Sequence, residues 1–296
     1  MGSQCRVRNQ RTSGSTRNIG GDTLSSENFP GSSVWFGIVT RFFQQLPVFT
    51  RRRFVGAFLA SFPSYFTWAH DLERVSGDPR LTARPHDPFR DFNYGESRLG
   101  VELDRSALMY IPKSHSNKEP SPLAVFLHGG GGSAGYWRRV YSQCEERGIL
   151  LLAPESRKRT WDAIGGDFGL DVKFLDSVLR YIFDRCSIDV TRIALVGFSD
   201  GASYSLSLGP SNGDLFTHLI AFSPGGSQLV EPVVGVPRIF VAHGTDDSVL
   251  PVSISRNIIV PTFQIDGYDI NYREFKGGHE LPLEILKESL DWFVDP

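Results

Sequence analysis

From about residue 99 onward, the chain alternates short, almost wholly apolar runs with segments of helical periodicity, and this alternation limits the fold more than any other feature. The apolar runs cover residues 123–127, 149–153, 192–196, 219–222 and 238–242. Strands that are apolar along their whole length are typical of a sheet whose two faces are both covered by helices. We therefore predict an α/β fold built on a mostly parallel, doubly covered sheet.

A hairpin, a last strand and several helices complete this prediction. Residues 99–103 and 107–111 are short runs separated by a polar turn, which indicates an antiparallel hairpin ahead of the parallel strands. A last strand is expected at residues 268–275. The predicted helices cover residues 136–147, 172–183, 202–208 and 283–293. Residues 201–247 contain no long insertion, so a large lid is not expected.

The first part of the chain differs in composition from the rest. Ser, Thr, Gly and Asn fill most of the first 33 positions, and up to Arg53 every basic residue is an arginine. This composition is typical of a flexible or targeting leader. Residues 78–93 are rich in Pro, Arg and Asp, which indicates an extended linker. We predict an N-terminal extension over residues 1–94 and one globular domain over residues 95–296.

A basic motif in the extension indicates targeting. Residues 50–55, TRRRFV, resemble a twin-arginine export signal, and the uncharged residues that follow extend to Ala69. Pro63 interrupts that stretch, which is also shorter than the roughly 20 residues of a membrane-spanning helix. Organellar or twin-arginine-type targeting is therefore predicted, with membrane association of this segment left open. The alternatives are an amphipathic helix resting on the globular domain and a cytoplasmic protein.

Net charge and cysteine content argue against several classes of protein. The formal net charge is −2, which gives no reason to expect a nucleic-acid partner. The three cysteines, Cys5, Cys144 and Cys186, are too few and too widely spaced for a disulfide framework or a Cys-x-x-Cys metal site. No metal or other cofactor is expected, and the oligomeric state stays open.

Residues 197–201, GFSDG, directly follow one apolar run and precede a segment of helical character. A G-x-S-x-G sequence between a strand and a helix is typical of a sharp turn that projects its serine from the end of the strand. The flanking glycines leave room where strand and helix approach closely. We therefore predict Ser199 as a nucleophile; the alternative is an ordinary strand-to-helix turn.

Four motifs that can carry chemistry follow the ends of predicted strands. They are HGGGG at residues 128–132, Ser199, HGTDD at residues 243–247 and GGHE at residues 277–280. Because the carboxyl ends of parallel strands meet at one edge of a sheet, we expect all four motifs to lie together.

The glycine run at residues 128–132 fits the stabilisation of a negatively charged oxygen. Glycine permits the backbone conformations that turn N–H groups toward a developing oxyanion. We assign the two donors to the N–H groups of Gly130 and Asp200, with Gly129 and Gly131 as alternatives to Gly130. A phosphate-binding loop is the other interpretation, but the run lacks the G-K-[ST] ending of a P-loop.

His279 is the predicted general base, because it lies between a glycine pair and the last helix and because histidine is the side chain type most often used to transfer protons at neutral pH. Asp246 and Asp247 are both placed to orient it. The other histidines at strand ends, His128 and His243, are interpreted as residues that stabilise loops. A metal site built from the three histidines is conceivable, but no metal-binding spacing supports it.

From about residue 99 to the end, the chain resembles small serine carboxylesterases of the α/β-hydrolase superfamily: phospholipase/carboxylesterases, acyl-protein thioesterases and polyhydroxybutyrate depolymerases. The matching motifs are LHGGGGS (127–133), LAP (152–154), GFSDGAS (197–203), AFSP (221–224), HGTDDSVLP (243–251) and GHELP (278–282). The order Ser, Asp, His along the chain is that of the α/β-hydrolases. The resemblance selects Asp247 as the acid and favours Gly130 as an oxyanion donor. The long N-terminal part departs from these families.

Aromatic and basic side chains near these motifs are candidates for substrate contacts. The aromatic candidates for the walls of a shallow cleft are Trp137, Trp161, Phe198 and Phe168. The basic candidates for contact with an acidic substrate are Arg138, Arg139 and residues 157–159. Core positions explain the aromatic residues, and exposed positions explain the basic ones, without any contact to substrate.

These observations predict a serine hydrolase that cleaves small-molecule carboxylic esters through an acyl-enzyme on Ser199, with His279 as base and Asp247 orienting it. An acyl thioesterase or a lysophospholipase would use the same groups. A peptidase is less expected, because no domain that would gate a peptide is evident. A non-catalytic ligand receptor on the same fold is the alternative from another class of function.

Overall fold

Within the residues that the computed structural model describes, 77–103, 105–164 and 166–295, eight strands form one sheet in the order β1-β2-β4-β3-β5-β6-β7-β8. The strands are β1 (Gly95–Glu102), β2 (Arg105–Ile111), β3 (Ser121–Leu127), β4 (Leu150–Pro154), β5 (Ile188–Phe198), β6 (His218–Phe222), β7 (Arg238–Gly244) and β8 (Ile270–Phe275). Strand β2 pairs antiparallel with β1 and β4, and all other neighbours are parallel. The predicted hairpin and the mostly parallel sheet are confirmed.

Helices cover both faces of the sheet. The α-helices are α1 (Tyr141–Arg147), α2 (Leu170–Phe183), α3 (Asp200–Leu208), α4 (Val260–Ile265) and α5 (Leu283–Val294). Shorter 3-10 helices lie at Ala134–Val140, Asp162–Ile164 and Pro210–Asn212, and a π-helical turn lies at Ser255–Ile259. Side chains of α2, α3 and α4 belong to one hydrophobic cluster, and those of α1 and α5 belong to the other.

Strand β3 shows why the central strands are apolar along their whole length. Leu123 and Val125 are fully buried in the cluster on one face, and Ala124 and Phe126 are fully buried in the cluster on the other. Successive side chains of a strand point to opposite faces, so a sheet covered on both sides buries every residue. The doubly covered sheet predicted from the sequence is confirmed.

The strand order places a crevice between β3 and β5. From β3 the chain passes to β4 on one side, and from β5 it passes to β6 on the other. Connections that leave neighbouring strands in opposite directions open a gap at the carboxyl ends of those strands, and ligands of open α/β sheets bind in that gap. The loops after β3 and β5 carry two of the four motifs found in the sequence.

Two elements differ from the sequence-based expectation. The predicted helix at residues 136–147 begins as the 3-10 helix Ala134–Val140 and becomes α1 only at Tyr141. The sequence pattern predicts no helix between β7 and β8, yet the π-helical turn Ser255–Ile259 runs into α4 there. Pro261 lies in the first turn of α4, where its missing N–H leaves fewer unsatisfied groups than it would in a helix interior.

The segment at residues 77–94 is extended, as predicted, but it packs on the globular domain. Leu81 and Ala83 are buried in the hydrophobic core. The N–H of Leu81 donates to the side-chain oxygen of Asn212 at 2.8 Å, and the N–H groups of residues 82 and 83 donate to Asp176 at 2.7 and 2.6 Å. Residues 78–93 are thus extended, as predicted, but the part around Leu81 and Ala83 belongs to the packed domain and is not a linker. These partners are remote in sequence, so no local pattern reveals them.

Several predictions fall on residues 1–76, outside the described part of the chain. They are the basic leader, the twin-arginine-like motif at residues 50–55, and the uncharged stretch that follows it. Among the residues that the structure describes, no helix combines the length and the apolar character that crossing a membrane requires.

His218, at the start of β6, makes the stability of the fold depend on pH. Its ring is buried and lies edge-on to Trp292 and Phe293, with ring centroids 5.1 and 5.2 Å apart. Burial lowers the pKa of His218 from 6.5 to about 4, and the charge of Arg238 acts in the same direction. Protonation therefore favours the unfolded chain. The stability that comes from the neutral ring is present above about pH 6.5 and is lost as the pH falls toward 4.

We expect the free energy of unfolding of the full chain to decrease when the pH is lowered from 7.5 to 4.5. His218 should contribute about 2–3 kcal/mol of this decrease. Urea unfolding at the two pH values measures it. His218→Phe retains an aromatic ring against Trp292 and Phe293 but cannot bind a proton, so its loss should be smaller by that amount. Equal losses in the two proteins would contradict the assignment.

Candidate active site

Four loops meet at the carboxyl edge of the sheet. His128 follows β3, Ser199 follows β5, Asp247 lies in the loop after β7, and His279 lies in the loop after β8. Each loop leaves a parallel strand at the same end, so residues far apart in sequence are brought together. This is the arrangement expected from the positions of the motifs.

Ser199, His279 and Asp247 form a continuous series of hydrogen bonds. The Oγ of Ser199 lies 2.9 Å from Nε2 of His279, and Nδ1 of His279 lies 2.7 Å from Oδ2 of Asp247. Asp246, the other acid that the sequence allows, pairs with Nζ of Lys276 at 2.6 Å on an exposed part of the loop. The structure thus brings together Ser199, His279 and Asp247 and leaves Asp246 outside the series.

Asp247 is buried and held by backbone donors. Its Oδ1 accepts the N–H groups of Val249 at 2.9 Å and Leu250 at 2.8 Å. Burial by itself raises the pKa of Asp247, but the hydrogen bonds from Leu250, His279 and Val249 outweigh it, and the pKa is lowered overall. The carboxylate therefore stays ionised at neutral pH, where it can orient the imidazole and stabilise its protonated form.

His243 contacts the same carboxylate of Asp247. Its ring is fully buried, with Nε2 lying 3.2 Å from Oδ2 of Asp247 and 2.8 Å from the carbonyl oxygen of Leu250, and Nδ1 lying 2.7 Å from Oγ of Ser255. Burial lowers the pKa of His243, so the ring is neutral. Because both neighbours of Nε2 are acceptors, Nε2 carries the proton. His243 is predicted from the sequence only to stabilise a loop, so its contact with Asp247 is a finding of the structure. The one signal of it in the sequence is the spacing of four residues between His243 and Asp247.

Ser199 has the strained backbone of a tight strand-to-helix turn. Its φ of 56° and ψ of −121° lie outside the regions that a residue with a side chain normally adopts. Such a conformation costs about 1–3 kcal/mol and persists only where the surroundings enforce it. The N–H of Ser199 donates to the carbonyl oxygen of Phe222 at 2.8 Å, and helix α3 begins at the next residue. The turn therefore points the Ser199 side chain toward His279.

The glycine loop after β3 lies against the start of α3. The N–H of Gly131 donates to the carbonyl oxygen of Arg159 at 2.6 Å, and that of Gly132 donates to Gly129 at 2.9 Å. The N–H groups of Gly130 and Asp200 donate to no residue in the described part of the chain. A Cβ on Gly130 would lie 2.3 Å from Oδ2 of Asp200, so the two residues are neighbours. Of the two alternatives to Gly130 as oxyanion donor, Gly131 already donates its N–H to Arg159.

Several curated proteins that are similar in sequence to this chain are named esterases. No family model matches the chain. The chain is 26% identical over 157 residues to a probable feruloyl esterase C of Aspergillus oryzae, which covers 50% of this chain and 57% of that protein. It is 30% identical over 133 residues to feruloyl esterase B of Thermothelomyces thermophilus, which covers 42% of this chain and 44% of that protein. The chain thus spans about half the length of the curated relatives it matches.

A solved structure gives the fold. The S-formylglutathione hydrolase of Staphylococcus aureus aligns with a TM-score of 0.53 and 12% identity over 69% of this chain and 99% of that one. At this identity the likeness concerns the fold alone. The chain has the α/β-hydrolase fold. The strand order, with an antiparallel β2 beside parallel strands, agrees with it.

In this structure the turn at Ser199 has a closely packed glycine on each side, Gly197 and Gly201. A Cβ on Gly197 would lie 2.1 Å from the carbonyl oxygen of Gly201. A Cβ on Gly201 would lie 2.3 Å from the carbonyl oxygen of Leu127, at the end of β3. Both neighbours are backbone atoms, which cannot move aside as a flexible side chain can. The two glycines therefore let α3 approach β3 and β5 closely enough to hold the turn.

We expect Gly201→Ala to destabilise the protein by about 3 kcal/mol or to abolish soluble expression, since the added methyl group overlaps the backbone of β3. Thermal unfolding and soluble yield measure the effect. Gly226→Ala is the matched control, because a Cβ there meets nothing within 4 Å. Equal stability of the two variants would show that the close approach at Gly201 is not required.

The structure corrects most of the predicted cleft walls. Trp137 and Trp161 are 0% and 1% exposed, and Phe168 is 2% exposed, so none of the three offers a surface to a ligand. Trp137 packs against Phe126 in the core, and Nε1 of Trp161 donates to the carbonyl oxygen of His128 at 2.8 Å. Large apolar side chains after a strand are more often core than cleft, and burial decides here in favour of the core.

Phe198 is the remaining aromatic candidate. Its ring is partly exposed and lies 5.0 Å from the ring of His279 and 5.9 Å from that of Tyr136, measured between centroids. The Phe198–Tyr136 pair is stacked, with an angle of 13° between the planes. Phe198 therefore lies beside the imidazole and Tyr136 stacks on Phe198, while both rings also pack against the hydrophobic core.

His128 supports the glycine loop, as expected from its place at a strand end. Its Nδ1 donates to the carbonyl oxygen of Gly129 at 2.8 Å, and its Nε2 accepts the N–H of Ser156 at 3.1 Å. Burial lowers the pKa of His128, which keeps the ring neutral for this pattern. In the described part of the chain, no three His, Cys, Asp or Glu side chains are arranged to hold a metal ion.

Proposed function

We propose that this α/β-hydrolase cleaves carboxylic ester bonds of small molecules through an acyl-enzyme on Ser199. The observation that carries the proposal is the unbroken series of hydrogen bonds from Ser199 through His279 to the buried Asp247. It connects a nucleophile, a base and an orienting carboxylate in the way that activates a hydroxyl group. The esterase names of the curated relatives give independent support.

In the proposed reaction, Oγ of Ser199 attacks the ester carbonyl carbon while its proton passes to Nε2 of His279. Asp247 holds Nδ1 of His279 and stabilises the imidazolium that results. The N–H groups of Gly130 and Asp200 donate to the oxyanion of the tetrahedral intermediate, each contributing about 3–4 kcal/mol. The intermediate collapses when the alkoxide leaves with the proton from His279. Water then attacks the acyl-enzyme by the same route, which releases the acid and frees Ser199.

An aromatic acid or alcohol is the first substrate class to examine. The curated relatives are named feruloyl esterases, and the ring of Phe198, which stacks on Tyr136, lies beside His279. An aromatic group of a substrate can pack against such rings in an offset or edge-to-face arrangement worth about 0.5–1.5 kcal/mol. Hydroxycinnamate esters should therefore be hydrolysed with a lower KM than acetate esters of the same alcohol.

A fluorophosphonate probe tests the proposal, because it reacts covalently with an activated serine. We expect one adduct per chain, located by peptide mass spectrometry on Ser199, and no adduct after heat denaturation. Initial rates on matched oxygen esters and thioesters then separate an esterase from a thioesterase. A folded protein that takes up no probe, or takes it up at another residue, would overturn the proposal in favour of a non-catalytic receptor.

A further inference from the structure

Most basic side chains around the candidate active site are already paired. The ion pairs are Arg138 with Glu96 at 2.6 Å, Arg157 with Glu102 at 2.7 Å and Lys276 with Asp246 at 2.6 Å. Arg139 donates to the hydroxyl of Tyr136 at 3.0 Å and to the carbonyl oxygen of Leu281 at 3.2 Å. A substrate carboxylate would have to compete with a protein acceptor at each of these cations.

Arg159 differs from these residues. It is exposed, and in the described part of the chain its guanidinium takes part in no ion pair and no hydrogen bond. A guanidinium has five N–H donors in a planar arrangement that matches a carboxylate. Its neighbour Thr160 uses its hydroxyl on Oδ2 of Asp200 at 2.7 Å, and Asp200 lies beyond ion-pair distance of Arg159.

Arg159 contacts the glycine loop in two ways: its backbone accepts a hydrogen bond from the loop, and its side chain lies close to the loop. Its carbonyl oxygen accepts the N–H of Gly131 at 2.6 Å. A Cβ on Gly131 would lie 3.5 Å from Nε and 3.9 Å from Nη2 of Arg159, so the guanidinium lies over this glycine. Because Gly131 has no side chain, the guanidinium can rest against the backbone of the loop that supplies the proposed oxyanion donor.

The same loop touches the nucleophile two residues earlier. A Cβ on Gly129 would lie 3.2 Å from Cβ of Ser199. Two peptide units span at most about 7.6 Å, so Gly129 and Gly131 connect Ser199 and Arg159 over a distance on the order of 10 Å. A substrate whose ester lies at Ser199 can therefore reach the guanidinium with a short chain or one aromatic ring.

We propose that Arg159 binds a carboxylate carried by the substrate and gives the enzyme a preference for anionic esters. This inference rests on the proposed esterase function and adds the charge of its substrate. The carboxylate can belong to the acyl part, as in a half-ester of a dicarboxylic acid, or to the alcohol part. The two positions share one chemistry, and matched substrates distinguish them.

The test compares anionic esters with neutral esters of the same shape. Monoethyl succinate, glutarate and adipate are paired with ethyl butyrate, pentanoate and hexanoate for the acyl part, and 4-acetoxybenzoate is paired with 4-tolyl acetate for the alcohol part. For each pair, the ratio of kcat/KM for the anionic to the neutral ester is measured in the full-length protein. Because the kcat/KM for the anionic ester is divided by that for the neutral ester, a general loss of activity in a variant cancels from the ratio.

We expect Arg159→Gln to lower this ratio about tenfold for at least one pair, mainly through a higher KM for the anionic ester. Arg159→Lys should keep an intermediate ratio, because it retains the charge without the planar donors. Arg138→Gln removes the same charge from a residue paired with Glu96, and it should keep the wild-type ratio. High salt should lower the wild-type ratio toward that of Arg159→Gln.

Two outcomes would overturn this inference while leaving the proposed function intact. If neutral esters are hydrolysed and Arg159→Gln keeps the wild-type ratio for every pair, the enzyme is an esterase without this anion site. If Arg138→Gln lowers the ratio as much as Arg159→Gln does, the preference comes from the overall charge and not from Arg159. Failure to hydrolyse any ester would overturn the proposed function, and this inference with it.

Discussion

Ser199→Ala is expected to lower kcat for ester hydrolysis by about five to six orders of magnitude and to abolish labelling by fluorophosphonate. The oxygen that attacks the carbonyl carbon is removed, so no acyl-enzyme can form. The remaining activity would come from binding and oxyanion stabilisation of a water attack. Initial rates on an aryl ester and intact mass after probe treatment measure the two effects.

The fold should survive this substitution. Alanine adopts the same backbone conformation with the same strain as serine, and the bond lost is one partly buried hydrogen bond to His279. The melting temperature should therefore change by only a few degrees. Ser177→Ala is the matched control, since this serine lies on α2, away from the candidate site, and its hydroxyl donates to the carbonyl oxygen of Lys173 in the same helix. Activity that persists after loss of Ser199 would end the acyl-enzyme proposal.

Asp247→Asn should lower kcat by about 10⁴-fold with a smaller effect on KM. The amide oxygen of asparagine can accept the N–H groups of Val249 and Leu250, as Oδ1 does now. Its NH₂ then faces Nδ1 of His279, which must become an acceptor and move its proton to Nε2. A ring with a proton on Nε2 cannot take the proton of Ser199.

The same substitution also affects His243. The NH₂ of asparagine would face Nε2 of His243, which carries a proton because its other neighbour is the carbonyl oxygen of Leu250. Two donors would then oppose each other in a buried site, so we expect a loss of about 1–3 kcal/mol in the free energy of unfolding as well. Urea unfolding measures this loss, and kcat on an aryl ester measures the first effect.

Asp246→Asn is the control, because its carboxylate pairs with Lys276 on an exposed part of the same loop. Both substitutions remove one negative charge from neighbouring positions. If they reduced kcat equally, the loop as a whole would matter and Asp247 would have no special role in orienting His279.

Burial limited what could be predicted from the sequence about the cleft. Trp137 and Trp161 lie near the strand-end motifs in the sequence and are candidates for that reason, yet both are core residues.

Residues 78–93 are predicted to be a linker because they are rich in Pro, Arg and Asp. Their backbone N–H groups nevertheless donate to Asp176 and Asn212, which are remote in sequence. Composition describes local preference and carries no information about such partners.

The sequence by itself determined the α/β architecture and the chemical groups at its edge. Continuous apolar strands require two covered faces, and Ser199 and His279 lie at strand ends where parallel topology brings them together. The residue pattern leaves Asp246 and Asp247 both open, the family resemblance favours Asp247, and the tertiary structure places Asp247 against His279. Only the tertiary structure decided that His243 contacts this carboxylate and that, among the described residues, Arg159 forms no ion pair whereas Arg138 and Arg157 do. Strand periodicity is set by neighbouring residues, whereas the partner of a side chain is set by loops that meet only when the chain has folded.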